Sequence, residues 1–166
     1  MKVEKLKVGK LQANCYFISQ DNDLIVVDPG DDYEKIKAKI GKHNLKAVFL
    51  THGHFDHNGA LKELLNDYKV PVNPLTVESF DYQIISTPGH TEDSVSFYFP
   101  NEKIMFTGDF LFRGTIGRTD FSSGSNQQMK ESLEMIRAFP DETTIYPGHG
   151  EETILGKEKP RFDGYF

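Results

Sequence analysis

Within "AVFLTHGHFDHNGA", residues 47–60, His52, His54, Asp56 and His57 fall within six positions between an apolar run and a helix-like stretch. Neutral imidazole and carboxylate are ligands for zinc, and also for iron and manganese. In an irregular loop His52 and His54 can converge on one ion, while Asp56 and His57 reach a neighbouring point a few ångströms away. Two such ions, roughly 3.5–4 Å apart and bridged by a carboxylate, generate a hydroxide near neutral pH and stabilise the oxyanion that its attack produces.

Three more ligand-type side chains follow. His90 lies in "STPGHT" and His149 in "YPGHG", while Asp109 closes "MFTGD", and each sits where an apolar strand ends. A single loop histidine is more often a surface or hydrogen-bonded residue than a ligand. Seven such side chains at the ends of separate strands are more than one metal uses, and rigid strands place loops of this kind at one edge, where ligand sites collect. His43, beside Lys42 on a helix, is expected to be solvated. Cys15, the one cysteine, cannot form an internal disulfide and reads as a packed thiol in the strand "ANCYFI".

The elements that must position these residues are legible from periodicity. "VEKLKV", "QANCYFIS" and "DLIVVD" read as three strands, the third a continuous apolar run. "YEKIKAKIGKHN" places Ile36 and Ile40 on one side of an amphipathic helix. "KAVFL" is a buried strand leading into the histidine loop, and "NGALKELLNDY" puts Leu61, Leu64, Leu65 and Tyr68 on one helical face. Beyond Pro71 and Pro74 come the strands "YQIIST", "SVSFYF" and "KIMFTGD", then the helix "SNQQMKESLEMIRAF" with Met129, Leu133 and Ile136 inward, then "TTIYPGHGEET", a strand running into a loop. Strands bundled early and late with helices between suit sheets packed face to face with helices outside.

Length and composition bound the rest. With 166 residues, 13 Phe and 7 Tyr, the chain can bury one core, and a single domain over 1–166 is expected. No stretch approaches the roughly 20 apolar residues of a membrane helix, and "MKVEKLKVGK" has no apolar secretion segment, so a cytoplasmic location without membrane partners is expected. The net charge of −6 works against a nucleic-acid partner, because such binding is driven by basic residues releasing counterions. A small-molecule substrate is compatible with it, and an oligomer is left open.

The ordered set "HGHFDH", "TPGHT", "TGD" and "YPGHG" resembles the metallo-β-lactamase superfamily, and specifically its glyoxalase II-like hydrolases. "ANCY", "VVDPG" and "GRTDF" fit the same branch, so the resemblance runs from about residue 12 to about residue 157. It implies an α/β (α+β) fold, a four-layer αββα sandwich with metals at one edge between the sheets. Carried over by position, His52, His54 and His90 would hold the first metal and Asp56, His57 and His149 the second. Asp109 would bridge, with Asp56 and Asp109 the catalytic carboxylates. Asp28 resembles the acidic residue that supports the site without ligating it, a role that competes with capping of the next turn. Two divalent ions are implied, zinc first, with iron or manganese as alternatives.

Departures narrow the reading. A commonest-type class B lactamase has cysteine where Asp109 stands, and the ribonuclease branch adds insertions for which this chain has no room. Glyoxalase II proper adds a C-terminal helical domain, whereas 17 residues follow His149 here. In "GRTDF", Thr119 and Asp120 replace its aromatic pair after Arg118. Only 33 positions separate His57 from His90, which implies a fold shortened there, with "VPVNPLTVESFDYQ" as the shortened crossing. The expected activity is that of a stand-alone, glyoxalase II-like hydrolase of thioesters or small esters, using a metal-bridging hydroxide. Arg113 and Arg118 are candidates for gripping a substrate carboxylate, against a salt bridge from Arg118 to Asp120. The alternative is a persulfide dioxygenase-like oxidoreductase holding one iron through His52, His90 and Asp109.

Overall fold

The alternation at the N-terminus folds as strand β1 (Lys2–Val8), antiparallel to β2 (Ala13–Gln20), which is antiparallel in turn to β3 (Asp23–Val27). The computed structural model describes residues 1–166, which form two compact units, Met1–Asp81 and Tyr82–Phe166. In the first unit, helix α1 (Tyr33–Ile40) leads to β4 (Asn44–Phe49), which runs parallel to β3. A parallel pair needs such a crossover, since no tight turn can join strands running the same way. The helix was expected to continue to Asn44 but stops at Ile40, where Gly41 takes φ +55°. Tyr33, Ile36 and Ile40 face the core with Val26 and Val48. His43 is exposed as expected, its Nδ1 on the Ile40 carbonyl at 3.0 Å.

After β4 come the single turn α2 (Phe55–Asn58) and helix α3 (Leu61–Tyr68). Leu64 is fully buried, and Leu61, Leu65 and Tyr68 pack against the same core, so the expected face is the one used. The segment that follows contributes only isolated bridges, Val48 to Val72 and Val77 to Phe80. Asn73 anchors it to the end of β4 with its side-chain amide, accepting from the Leu50 N–H at 2.8 Å and donating to the Leu50 carbonyl at 3.0 Å.

The second unit begins with three antiparallel neighbours, β5 (Gln83–Ser86), β6 (Val95–Phe99) and β7 (Ile104–Gly108). A short hairpin, β8 (Leu111–Phe112) and β9 (Thr115–Ile116), precedes helix α4 (Asn126–Ile136). Ser125 caps α4 by accepting from the Gln128 N–H, and Met129, Leu133 and Ile136 are buried. Strand β10 (Thr144–Pro147) then pairs parallel to β7, and β11 (Thr153–Ile154) pairs antiparallel to β10. The chain closes with the short helix α5 (Leu155–Glu158) and a 3₁₀ helix (Lys159–Tyr165). No helix is long and apolar enough to cross a membrane.

Each unit therefore contains one parallel strand pair joined by a helical crossover. Because the two strands of such a pair point the same way, the residues just beyond their C-terminal ends are brought together, as in other α/β sheets that bind ligands there. In the first unit those residues are Asp28 after β3 and Thr51–His52 after β4. In the second they are Asp109 after β7 and His149 after β10.

Close backbone approach completes the first of these ends. A Cβ on Gly30 would lie 1.7 Å from the carbonyl oxygen of Asp56, so only glycine lets the loop after β3 press against α2. The substitution Gly30→Ala is expected to cost about 3 kcal/mol or more, the upper end for overpacked sites. Gly164→Ala, where an added Cβ meets nothing within 4 Å, is the control. Urea denaturation of both variants checks this; equal midpoints would contradict the packing described.

Candidate metal centre

In the first unit four ligand-type side chains meet where the sequence expectation put them. His52 lies beyond β4, His54 precedes α2, and Asp56 and His57 lie on α2. The donor atoms that His52 and His54 can offer lie within 4.8 Å of one another, and so do those of Asp56 and His57. The His52 ring stands 4.7 Å from that of His54 and 4.4 Å from that of His57, centroid to centroid. His57 is fully buried and His52 only 2% exposed. Asp56 Oδ2 is 3.3 Å from His57 Nε2.

The protonation of these rings follows from one buried carboxylate. Asp28 Oδ1 accepts from the Thr51 N–H at 2.8 Å, and its Oδ2 accepts from the Thr51 hydroxyl at 2.7 Å. The same Oδ2 lies 2.9 Å from His57 Nδ1. A carboxylate only accepts, so Nδ1 of His57 carries the proton and Nε2 presents a lone pair. Thr51 has given its single hydroxyl proton to Asp28, so toward His52 Nδ1, at 3.0 Å, it can only accept. His52 is thereby fixed in the same tautomer. Asp28 reaches both partners from a left-handed backbone, φ +52°, uncommon for a residue with a side chain.

In the second unit the geometry centres on Asp109. Its Oδ2 lies 3.6 Å from Nε2 of His90 and 3.6 Å from Nε2 of His149. These separations exceed a hydrogen bond. They match donor atoms sharing one tetrahedral ion at 2.0–2.2 Å, which stand ~3.3–3.6 Å apart. His90, 3% exposed, donates from Nδ1 to the Arg118 carbonyl at 2.8 Å, which leaves its Nε2 as the nitrogen that could ligate a cation. Gly117 makes this possible: a Cβ there would meet the Asp109 carbonyl at 1.7 Å and His90 Nδ1 at 3.2 Å. The donor set of the two units, with Nδ1 of His52, His57 and His90 tied down and carboxylate oxygens at ligand-to-ligand distance, fits hard-to-borderline divalent cations.

The two arginines singled out from sequence part company. The Arg118 guanidinium grips Asp120 through two bonds, Nε to Oδ1 at 2.6 Å and Nη2 to Oδ2 at 2.7 Å, and lies over the Phe121 ring. The Asp120 carboxyl is held below its usual range by that pair. The part of Arg118 that faces His90 is its carbonyl. Arg113 sits exposed at the turn between β8 and β9. Cys15 is fully buried, and burial pushes its thiol well above the ordinary range, so it is no nucleophile. Sequence reasoning missed Thr51 and the Arg118 carbonyl; neither a lone threonine nor a main-chain oxygen carries a pattern.

The chain belongs to the metallo-beta-lactamase superfamily, whose sequence profile it matches over residues 8–73 and 75–149. It is 31% identical to the probable metallo-hydrolase YqgX of Bacillus subtilis, over 96% of this chain and 95% of that one. It is 30% identical to the hydroxyacylglutathione hydrolase GloC of Haemophilus influenzae, over 96% and 95%. The YqgX alignment runs over 200 positions, so that protein carries segments which this 166-residue chain lacks. Among solved structures it is similar to BLEG-1, a B3 metallo-beta-lactamase (TM-score 0.90, 28% identity, 96% and 97% coverage). TTHA1623 in a di-iron-bound form gives 0.85, 30%, 98% and 100%, and ETHE1 from Myxococcus xanthus gives 0.84, 28%, 99% and 85%. The fold is thus the metallo-β-lactamase fold, of mixed sheets and helices.

Asp28→Asn keeps the shape but puts an NH2 group where the carboxylate accepts from the Thr51 hydroxyl and His57. Metal affinity is expected to fall about 10–100-fold, as for other partners of ligating histidines. Competition against a chromophoric chelator measures it, and unchanged affinity would remove Asp28 from the site.

Proposed function

We propose that the two units work as one domain and that their half-sites make one dinuclear centre. His52, His54 and His90 would hold one ion and Asp56, His57 and His149 the other, with Asp109 within reach of His90 and His149 alike. The observation that carries this reading is the equal 3.6 Å spacing of Asp109 Oδ2 from His90 and from His149. Zinc is the first choice of metal from the ligand types, and the di-iron form of TTHA1623 keeps iron in play.

The activity we propose is hydrolysis of a thioester or related small ester, in line with the relation to the hydroxyacylglutathione hydrolase GloC. When bound, a pair of divalent cations supplies a hydroxide nucleophile at neutral pH and positive charge for the oxyanion that develops at the carbonyl. The chain's own residues prepare that chemistry. Asp28, directly and through Thr51, engages Nδ1 of His57 and of His52, so that Nε2 is the nitrogen each ring can offer to a cation. The Arg118 carbonyl does the same for His90. With Cys15 sealed in the interior, no side-chain nucleophile is required.

A second reading, a mononuclear iron oxidoreductase of the persulfide dioxygenase kind, is favoured by the likeness to ETHE1. It would use only His52, His90 and Asp109 and give no role to Asp56 beside His57. Metal analysis of protein purified without added metal decides between the two, joined to a thioester panel and oxygen uptake with glutathione persulfide. Two metals with thioester cleavage are expected; one iron with persulfide-dependent oxygen uptake would select the second reading. Asp56→Ala is expected to remove about one equivalent of metal and to lower thioester hydrolysis by 100-fold or more, roughly the effect of losing a metal site's charge stabilisation. Unchanged metal content would show that Asp56 is not a ligand.

A further inference from the structure

A second concave site lies in the second unit, a cavity of about 440 Å³ at the edge of its sheet, where Arg113, Lys157 and Arg161 share the lining with Thr144, Glu152 and Glu158. Its acids do not neutralise its bases. Glu158 is buried and already engaged, one oxygen accepting from the Gly114 N–H at 3.0 Å and the other from the Thr153 hydroxyl at 2.7 Å. Arg161 stands 4.0 Å from it. Arg113 and Lys157 have no carboxylate partner at all.

Lysines without an ion pair occur elsewhere in this chain, but here two unmatched cations line one recess together with a third, Arg161. Lys37, Lys103, Arg118, Arg137 and Lys159 all have carboxylates within 3.3 Å. Two cations left unmatched on one cavity wall, with a third only loosely paired, leave three positive groups against two negative ones. Guanidinium and ammonium donors converging on a polar recess are complementary to the oxygens of a phosphate or carboxylate.

The cavity is also built into the element that carries the centre. Arg113 and Gly114 form the turn of the β8–β9 hairpin, which Glu158 pins to α5. One end of that hairpin follows Asp109, and the other runs into Gly117 and Arg118, whose carbonyl holds His90.

We infer that this cavity binds the anionic group of a small molecule, phosphate or carboxylate in chemistry, through Arg113, Lys157 and Arg161. The anion is either the charged tail of the substrate's thiol half or a free ion; the first source rests on the proposed thioester hydrolysis, and the binding itself does not. The test is isothermal titration of the metal-loaded protein with sulfate, a weak metal ligand, at constant ionic strength. Saturable binding is expected, weakened about tenfold in R113Q/K157Q, the scale of charged hydrogen bonds lost at an exposed site. Both side chains are exposed, and circular dichroism confirms that the variant is folded. No binding, or binding unchanged in the variant, overturns the site.

Turnover then separates the sources. For one acyl group, a coenzyme A thioester is compared with the uncharged N-acetylcysteamine thioester. If the tail is the ligand, the variant lowers kcat/KM for the first relative to the second, and sulfate competes with it. If a free ion is the ligand, sulfate alters turnover of the uncharged thioester in the parent protein and not in the variant. Sulfate binding without hydrolysis of either thioester would remove the hydrolase reading and leave the cavity assignment standing.

Discussion

A single buried carboxylate organises the ligand-type side chains of the first unit. Asp28 receives three protons' worth of hydrogen bonds, from the Thr51 amide, the Thr51 hydroxyl and His57 Nδ1. Two of these contacts decide where imidazole protons sit. A neutral histidine has one proton for two nitrogens, so tying Nδ1 to an acceptor is the same act as freeing Nε2 for a cation. Because Thr51 passes the constraint from Asp28 to His52, one side chain sets the tautomer of two rings whose centroids are 4.4 Å apart. The positive φ at Asp28 is the local cost of that placement, held by the strand before it and by the loop that Gly30 lets close against α2.

The second unit reaches a comparable arrangement with different chemistry. There the acceptor that orients His90 is the Arg118 carbonyl. A main-chain oxygen keeps its place only if its peptide does, so the orientation is handed to backbone packing. Gly117 supplies the close approach, donating its N–H to the Phe110 carbonyl at 3.2 Å. The Arg118 side chain, clamped by Asp120 and laid over Phe121, fixes the same stretch from outside. The first route begins at the end of a parallel strand pair, whereas the second runs from the stretch after the β8–β9 hairpin to the loop after β5.

What the sequence disclosed depended on how strongly each element repeats a pattern. The long runs were legible: β2, β3 and β7 from their apolar stretches, α3 and α4 from their spaced leucine, isoleucine and methionine positions, with Leu64, Met129, Leu133 and Ile136 buried as expected. The ligand-type side chains were legible because their residue types are distinctive, and His52, His54, Asp56 and His57 do meet, as do His90, Asp109 and His149. Short elements were not. The turn α2, the two-residue strands β8 and β9, and the closing helices are each below the length at which a period of two or of 3.6 can be counted. Their positions come from tertiary bonds, such as Glu158 on the Gly114 amide, that pair residues 44 apart in sequence.

The same distinction explains why Arg113 and Arg118, five positions apart in a single loop, cannot be told apart by type. Arginine presents a rigid five-donor fork wherever it stands, and its use depends on which acceptor lies within reach. Asp120, two residues on, accepts from Nε and Nη2 of Arg118 and so occupies that edge of its guanidinium. Arg113 lies at a turn beside Gly114, whose amide, with the Thr153 hydroxyl, already engages both oxygens of Glu158. Arg113 is in no ion pair and lines the cavity. Hydrogen-bond accounting around the acid, more than the identity of the base, determines which of the two cations is available to a ligand.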